Sequence, residues 1–227
     1  MIGSGCVIAI GGNEDKRGAR TSILGRFVQR AGGRSARIVI IPSASEYPEA
    51  RVQRYLGIFQ QLGASDIRAV HAERDVTHED REAIRGASGI FVTDGDQKKL
   101  MEYLHAAECV EPIRQAVRGG AVYAGTSAGA AVASKTMIAG DGENGELVEL
   151  GEGIGLLPDV IIDQHFGERR RLPRLVVAAK TRKLVGVGID EDTAIVWNGS
   201  NGEMRVEGVG KVTVVDREHR LHVLGAR

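Results

Sequence analysis

Aromatic residues are scarce in this sequence, at 4%, and charge of one sign is not in excess: 30 Lys and Arg stand against 30 Asp and Glu. Few aromatic faces on which bases could stack, and no surplus of positive charge, exclude a typical nucleic-acid binder. The same balance gives the chain no general attraction to an anionic membrane. Cysteine is limited to Cys6 and Cys109, and no Cys or His spacing of the metal-binding kind occurs. Two isolated thiols suit a reducing compartment better than a disulfide framework. Long hydrophobic runs are missing as well. The stretch Cys6–Ile10 is too short for a signal or a membrane span, and no basic region precedes it. A cytoplasmic protein is the expectation.

What is present is a hydrophobic fraction of 42% in 227 residues, enough for one large domain with a real core. Continuous β-branched runs at Cys6–Ile10, Arg37–Ile41, 67–70, 89–93, 121–124 and 160–163 read as buried strands. Helical patterns lie between several of them, at 21–31, 48–62, 78–87 and 98–118. The last divides into two if Pro112 marks a fresh helix start. This alternation predicts a mostly parallel sheet with helices on both faces. After residue 180 the texture changes to short strands at 184–189, 194–197, 204–206 and Lys211–Val215, separated by turns such as Asn198-Gly199 and Asn201-Gly202. The chain therefore reads as a single domain over 1–227, an α/β core at 1–180 and an antiparallel extension at 181–227 that finishes the sheet. Residues 140–155, rich in Gly and acids and without periodicity, read as a long loop suited to a lid.

The segment Gly125-Thr126-Ser127-Ala128-Gly129 falls between a strand and a start of small residues typical of a packed helix. A serine at such a turn is thrust beyond the carboxyl edge of the sheet, and the flanking glycines allow close backbone approach. The amide of Ala128 and the helix N-terminus would face a developing oxyanion. Ser127 is thus the candidate nucleophile, against the plainer reading of a turn that packs a helix on a strand. Of six histidines, His71, His78 and His105 lie on polar segments, and His219 and His222 in the C-terminal tail strand. His165 ends the apolar strand that runs into Asp163-Gln164-His165-Phe166, on the same rim as Ser127, and is the candidate base. Its orienting acid is either Asp163 or one of Asp190, Glu191 and Asp192, and local pattern does not choose among them.

Five segments together carry a resemblance: Ile10 to Lys16, Thr93-Asp94-Gly95-Asp96-Gln97, Gly125 to Ala130, Asp163 to Phe166 with Arg169, Arg171 and Arg174, and Gly188 to Ala194. In this order they resemble the cyanophycinase group of serine peptidases, relatives of dipeptidase E. The resemblance implies a three-layer α/β/α sandwich like class I glutamine amidotransferase domains, a Ser127–His165–Glu191 triad, and a homodimer with no metal or other cofactor. It implies cleavage of cyanophycin, a poly-aspartate with arginine on each side chain, at β-aspartyl linkages to release β-Asp-Arg. Gly95 joins Ala128 as an oxyanion donor. Gln97, Asp163, Gln164, Arg169, Arg171 and Arg174 match substrate-binding positions, and guanidinium groups suit the free carboxylates of such a substrate. Glu143, Glu146 and Glu149 could meet its cationic side chains. The family carries two glycines after the threonine of the second segment; here Asp94 takes the first place. An exopeptidase for short aspartyl dipeptides and a non-catalytic binding protein on the same fold are the competing readings.

Overall fold

The computed structural model describes residues 3–14, 23–142 and 147–226. Of the segments given above, residues 15, 16, 21 and 22, and 143–146 with Glu143 and Glu146, lie outside the described residues. The first half alternates as expected: β1 (Cys6–Ile10), α1 (Ile23–Arg30), β2 (Arg37–Ile41), α2 (Pro48–Gln61), β3 (Asp66–Ala69), α3 (His78–Arg85), β4 (Gly89–Val92), α4 (Gln97–Ala106), α5 (Val110–Arg118) and β5 (Val122–Thr126). Two helices, not one, fill residues 97–118. They break at Glu108, whose φ is 54°, and Pro112 sits in the first turn of α5, where its missing N–H has no intrahelical acceptor. A single turn, α6 (Ala128–Ala131), follows β5; then come β6 (Thr136–Gly140), β7 (Glu149–Glu152), β8 (Val160–Gln164), α7 (Leu172–Arg182), β9 (Val185–Ile189), β10 (Thr193–Asn198), β11 (Met204–Gly208), β12 (Lys211–Val215) and β13 (Leu221–Gly225).

The main sheet has seven strands in the order β11-β10-β1-β5-β4-β2-β3. Its five strands from the first half run parallel, whereas β10 and β11 pair antiparallel at one end. Side chains alternate across it. On β1, Ile8 and Ile10 join Leu24, Phe27, Tyr55 and Phe59 of α1 and α2, while Val7 and Ala9 face Ile84, Leu100 and Ile113 of α3, α4 and α5. Three of the four Phe residues, Phe27, Phe59 and Phe91, cluster with Tyr55 at ring separations of 4.4–6.0 Å. A core rich in aliphatic residues thus has one aromatic anchor.

The C-terminal part departs from a simple extension of that sheet. A second sheet, β13-β12-β9-β8, has β8 and β9 parallel, while β12 pairs antiparallel with both β9 and β13. Ile162, Val187 and Val212 on one face join the core under α3, α4 and α5, and Ile161 and Val215 on the other pack against Leu175 and Ala178 of α7. Only the β10–β11 hairpin finishes the main sheet. The stretch expected to be a long loop is also partly strand, since β7 pairs antiparallel with β6. Its sequence, Glu-Leu-Gly-Glu, has no buried face to announce it; backbone pairing with β6 makes it a strand.

Candidate active site

Ser127 stands between β5 and α6 with φ 53° and ψ −109°, a conformation that costs a non-glycine residue about 1–3 kcal/mol. The surroundings hold it there. Its amide donates to the Ile10 carbonyl at 3.0 Å, and its carbonyl accepts from Ala130 and Ala131 at 3.0 and 3.1 Å. Beneath it lies Glu14, 3% exposed, whose carboxylate accepts from the Tyr55 hydroxyl at 2.5 Å and from Thr126 Oγ1 at 2.6 Å. Burial, reinforced by Glu14, drives the Tyr55 hydroxyl well above its ordinary pKa, so it remains a donor. The residue before the serine is therefore tied through one buried carboxylate to α2.

His165 follows β8 of the second sheet, with φ 50° and its amide bonded to the Gly11 carbonyl at 2.8 Å. Its Nε2 is 3.0 Å from Ser127 Oγ, and its Nδ1 is 2.8 Å from Glu191 Oε1. Gly12 sets the ring: a Cβ at that position would lie 2.3 Å from His165 Cε1. Glu191 occupies the turn from β9 to β10, the crossing from the second sheet back to the first. Its amide is received by the Glu168 carboxylate at 3.2 and 3.3 Å. The neighbouring acid Asp190 is used differently, accepting the amides of Gly167 and Lys211 at 2.9 and 3.1 Å. Asp163, the other acid considered as an orienter, faces away to the arginines. A carboxylate on Nδ1 selects the tautomer that donates from Nδ1 and accepts at Nε2, the form able to take a proton from Ser127.

The three arginines do not form one free fork. Arg174 is 8% exposed and places Nε and Nη2 on Asp163 at 2.7 and 2.5 Å, and Nη1 on Asp141 at 2.6 Å. Burial opposes its charge, yet the hydrogen bonds to Asp163 and Asp141 raise its pKa. Arg171 Nη1 donates to the Gln164 carbonyl, to Gln164 Oε1 and, at 3.3 Å, to Asp163; burial lowers its pKa despite that carboxylate. Arg169 is exposed, with no carboxylate partner among the described residues. Asp163, at 1% exposure, is behind the cavity rather than on its wall. The expectation that it contacts substrate is corrected: its carboxylate is consumed in orienting Arg174 and Arg171. Gln97 reaches the cavity but spends its amide nitrogen on the Ile138 and Ala139 carbonyls of β6, at 3.1 and 2.9 Å. Glu149 is paired with Lys98 at 2.9 Å.

Ser127, His165, Glu191, Gly95, Gln97, Gln164 and the three arginines line one cavity of about 430 Å³. Ala128 is fully buried immediately after Ser127. A second cleft of about 890 Å³ shares Asp94, Gly95, Gln97, Gly140 and Asp141 with the first, so the two form a continuous groove. Glu14, Tyr55, Asp141 and Glu168 were not singled out from sequence. Only Glu14 stood inside a recognisable segment; the others act through contacts with chain more than twenty residues away. Among the described residues no group of three or more His, Cys, Asp or Glu is placed to hold a metal, and no helix is long and apolar enough to cross a membrane. Burial pushes the thiols of Cys6 and Cys109 up to about 11, which leaves neither a ready nucleophile at neutral pH.

A strained serine hydroxyl at a strand end, in contact with a histidine that a glutamate receives, on a mostly parallel α/β sheet, defines a serine-type hydrolase. The model described as Peptidase family S51 matches residues 7–205, and the chain belongs to that family of serine-type peptidases. A cyanophycinase of Trichormus variabilis is 44% identical over 226 residues, covering 95% of this chain and 75% of the relative. A cyanophycinase of Synechococcus elongatus is 45% identical over 222 residues, covering 93% and 68%. A peptidase from an acI-B1 Actinobacterium, of solved structure, shares the fold with a TM-score of 0.75 at 22% identity, covering 98% of this chain and 94% of that one.

Proposed function

We propose that this chain is a cyanophycin-degrading serine peptidase that cuts the aspartyl main chain and releases β-Asp-Arg dipeptides, whose β-linkage to arginine, expected above as the scissile bond, stays whole. The contact line from Ser127 through His165 to Glu191 carries the reading. Ser127 Oγ attacks the main-chain carbonyl carbon of an arginine-bearing aspartyl unit while its proton passes to His165 Nε2, and Glu191 stabilises the imidazolium through Nδ1–H. The amides of Gly95 and Ala128 receive the oxyanion, each contributing on the order of 3 kcal/mol. Collapse of the tetrahedral intermediate breaks the C–N bond, and His165 returns the proton to the leaving amine. Water then attacks the acyl-enzyme by the reverse proton route and frees Ser127.

Arg169 and Arg171, with Arg174 held by Asp163, give the cavity the positive character that the free α-carboxylates of the substrate's side-chain arginines require. Asp141 occupies one Arg174 donor and is the group a substrate carboxylate would exchange with. The groove beyond Gly95 has room for further units of a polymer, which favours a chain-cutting enzyme over a closed dipeptidase. The names and identities of the relatives support the same substrate. The enzyme would act as a single peptidase domain, in the cytoplasm, as a homodimer without cofactor.

The test is incubation with purified cyanophycin followed by chromatography of the products. Release of β-Asp-Arg that disappears in Ser127→Ala supports the reading. Wild-type protein that leaves cyanophycin intact while cleaving short aspartyl dipeptides overturns it in favour of an exopeptidase.

A further inference from the structure

The turn between β4 and α4 carries a charge that the mechanism above does not use. Asp94 directly precedes Gly95 and lines both the cavity and the adjoining cleft. The turn is sterically fixed: Gly95 has φ 142°, and a Cβ there would lie 1.8 Å from the Ala44 carbonyl oxygen. A carboxylate at this place opposes negative charge developing at the neighbouring amide, because like charges repel strongly where water is partly excluded. One cation meets it. Arg51, from the first turn of α2, places Nη2 2.8 Å from Asp94 Oδ2, and both side chains are about two-thirds buried. The remaining polar atoms, Asp94 Oδ1 and Arg51 Nε, are buried without a hydrogen-bond partner among the described residues. Lys98 is paired with Glu149 and Arg174 with Asp163 and Asp141, and among the described residues Arg51 is the cation in ion-pair contact with Asp94, although Lys99 and Arg169 also line the two cavities. Compensation of Asp94 therefore falls to Arg51.

We infer that Arg51 is a positioning residue of the oxyanion turn, whose ion pair draws the Asp94 carboxylate toward α2 and offsets its charge beside Gly95. The inference rests on the proposed role of the Gly95 amide. It makes the harm done by losing Arg51 conditional on Asp94 being present, which separates it from a simple structural salt bridge.

The rate at which a small uncharged fluorophosphonate labels Ser127 reads this directly, since phosphonylation builds the same negative oxygen and needs no peptide substrate. Arg51→Met is expected to slow labelling by about tenfold or more, with a defect that shrinks as ionic strength rises. Arg51→Lys keeps most of the rate. The double variant Arg51→Met with Asp94→Asn returns to within about threefold of wild type, a coupling that two contacting charges produce and that also shows the fold intact. Wild-type labelling by Arg51→Met overturns the inference. So does a double variant as slow as Arg51→Met, the outcome for a bridge that only braces the turn, and so does an Asp94→Asn variant that is itself as slow. Labelling is scored separately from cyanophycin cleavage, so a wild type that labels but releases no β-Asp-Arg sinks the substrate reading while this comparison of rates still decides the role of Arg51.

Discussion

The two sheets contribute unequally to the site. The seven-stranded sheet carries Ser127 at the end of β5, a strand buried along its whole length, with Glu14 and Tyr55 bracing the turn from below. The four-stranded sheet carries His165 after β8, and its outer strand β13 is exposed throughout. Glu191 belongs to the turn that joins them. The proposed nucleophile and base thus sit on separate platforms, and their 3.0 Å contact depends on the segments that cross between the sheets: the β9–β10 turn and the Gly11–Gly12 backbone against the His165 ring. A serine on a strained but well-braced turn is pre-organised by its own sheet, whereas the histidine is placed by what lies between.

Removing the reacting group of the first platform has the largest expected effect: Ser127→Ala lowers kcat about a millionfold, measured by β-Asp-Arg release. Cutting the link between the platforms comes next. Glu191→Gln leaves the fold unchanged by thermal melting but lowers kcat about ten-thousandfold, because the amide no longer fixes the tautomer or offsets the imidazolium. Gly12→Ala sharpens the comparison further. The added methyl collides with the His165 ring, and kcat falls about a hundredfold while Ser127 and its bracing are untouched. Asp163→Ala attacks the second platform alone. It leaves the buried Arg174 guanidinium with only the exposed Asp141 as a carboxylate partner and costs roughly 3 kcal/mol of stability by denaturant titration. The smallest effect belongs to the thiols. With both pushed up to about 11, alkylating conditions at neutral pH leave activity within about twofold of the untreated enzyme.

Much of the fold was legible because β1, β2, β4 and β8 are continuous apolar runs that only a doubly covered sheet explains. The pair β6 and β7 was not, since β7, with two Glu and a Gly in four residues, buries no face, and β6 has its antiparallel partner only through β7. The split into two sheets was hidden for a different reason. β9, β10 and β12 all look alike locally, and which sheet each joins is settled by pairing across more than twenty residues, as in β8 with β9 or β1 with β10. In the site, the elbow sequence pointed to Ser127 and the strand end to His165, each from its own neighbourhood. The arginines could be counted, but their partners could not: nothing near Arg174 in the chain announces Asp141, thirty-three residues earlier.

By itself the sequence determined the alternation of strands and helices and the rim on which Ser127 and His165 would both stand. These follow from local pattern, in which burial and turn chemistry are written residue by residue. Local pattern left open which acid faces His165; the resemblance pointed to Glu191, and the tertiary structure put it 2.8 Å from the ring, turned Asp163 to the arginines and brought Arg51 to Asp94. Each of those is a contact between polar side chains that the fold brings together, and such a side chain has no fixed partner until the fold sets its distances.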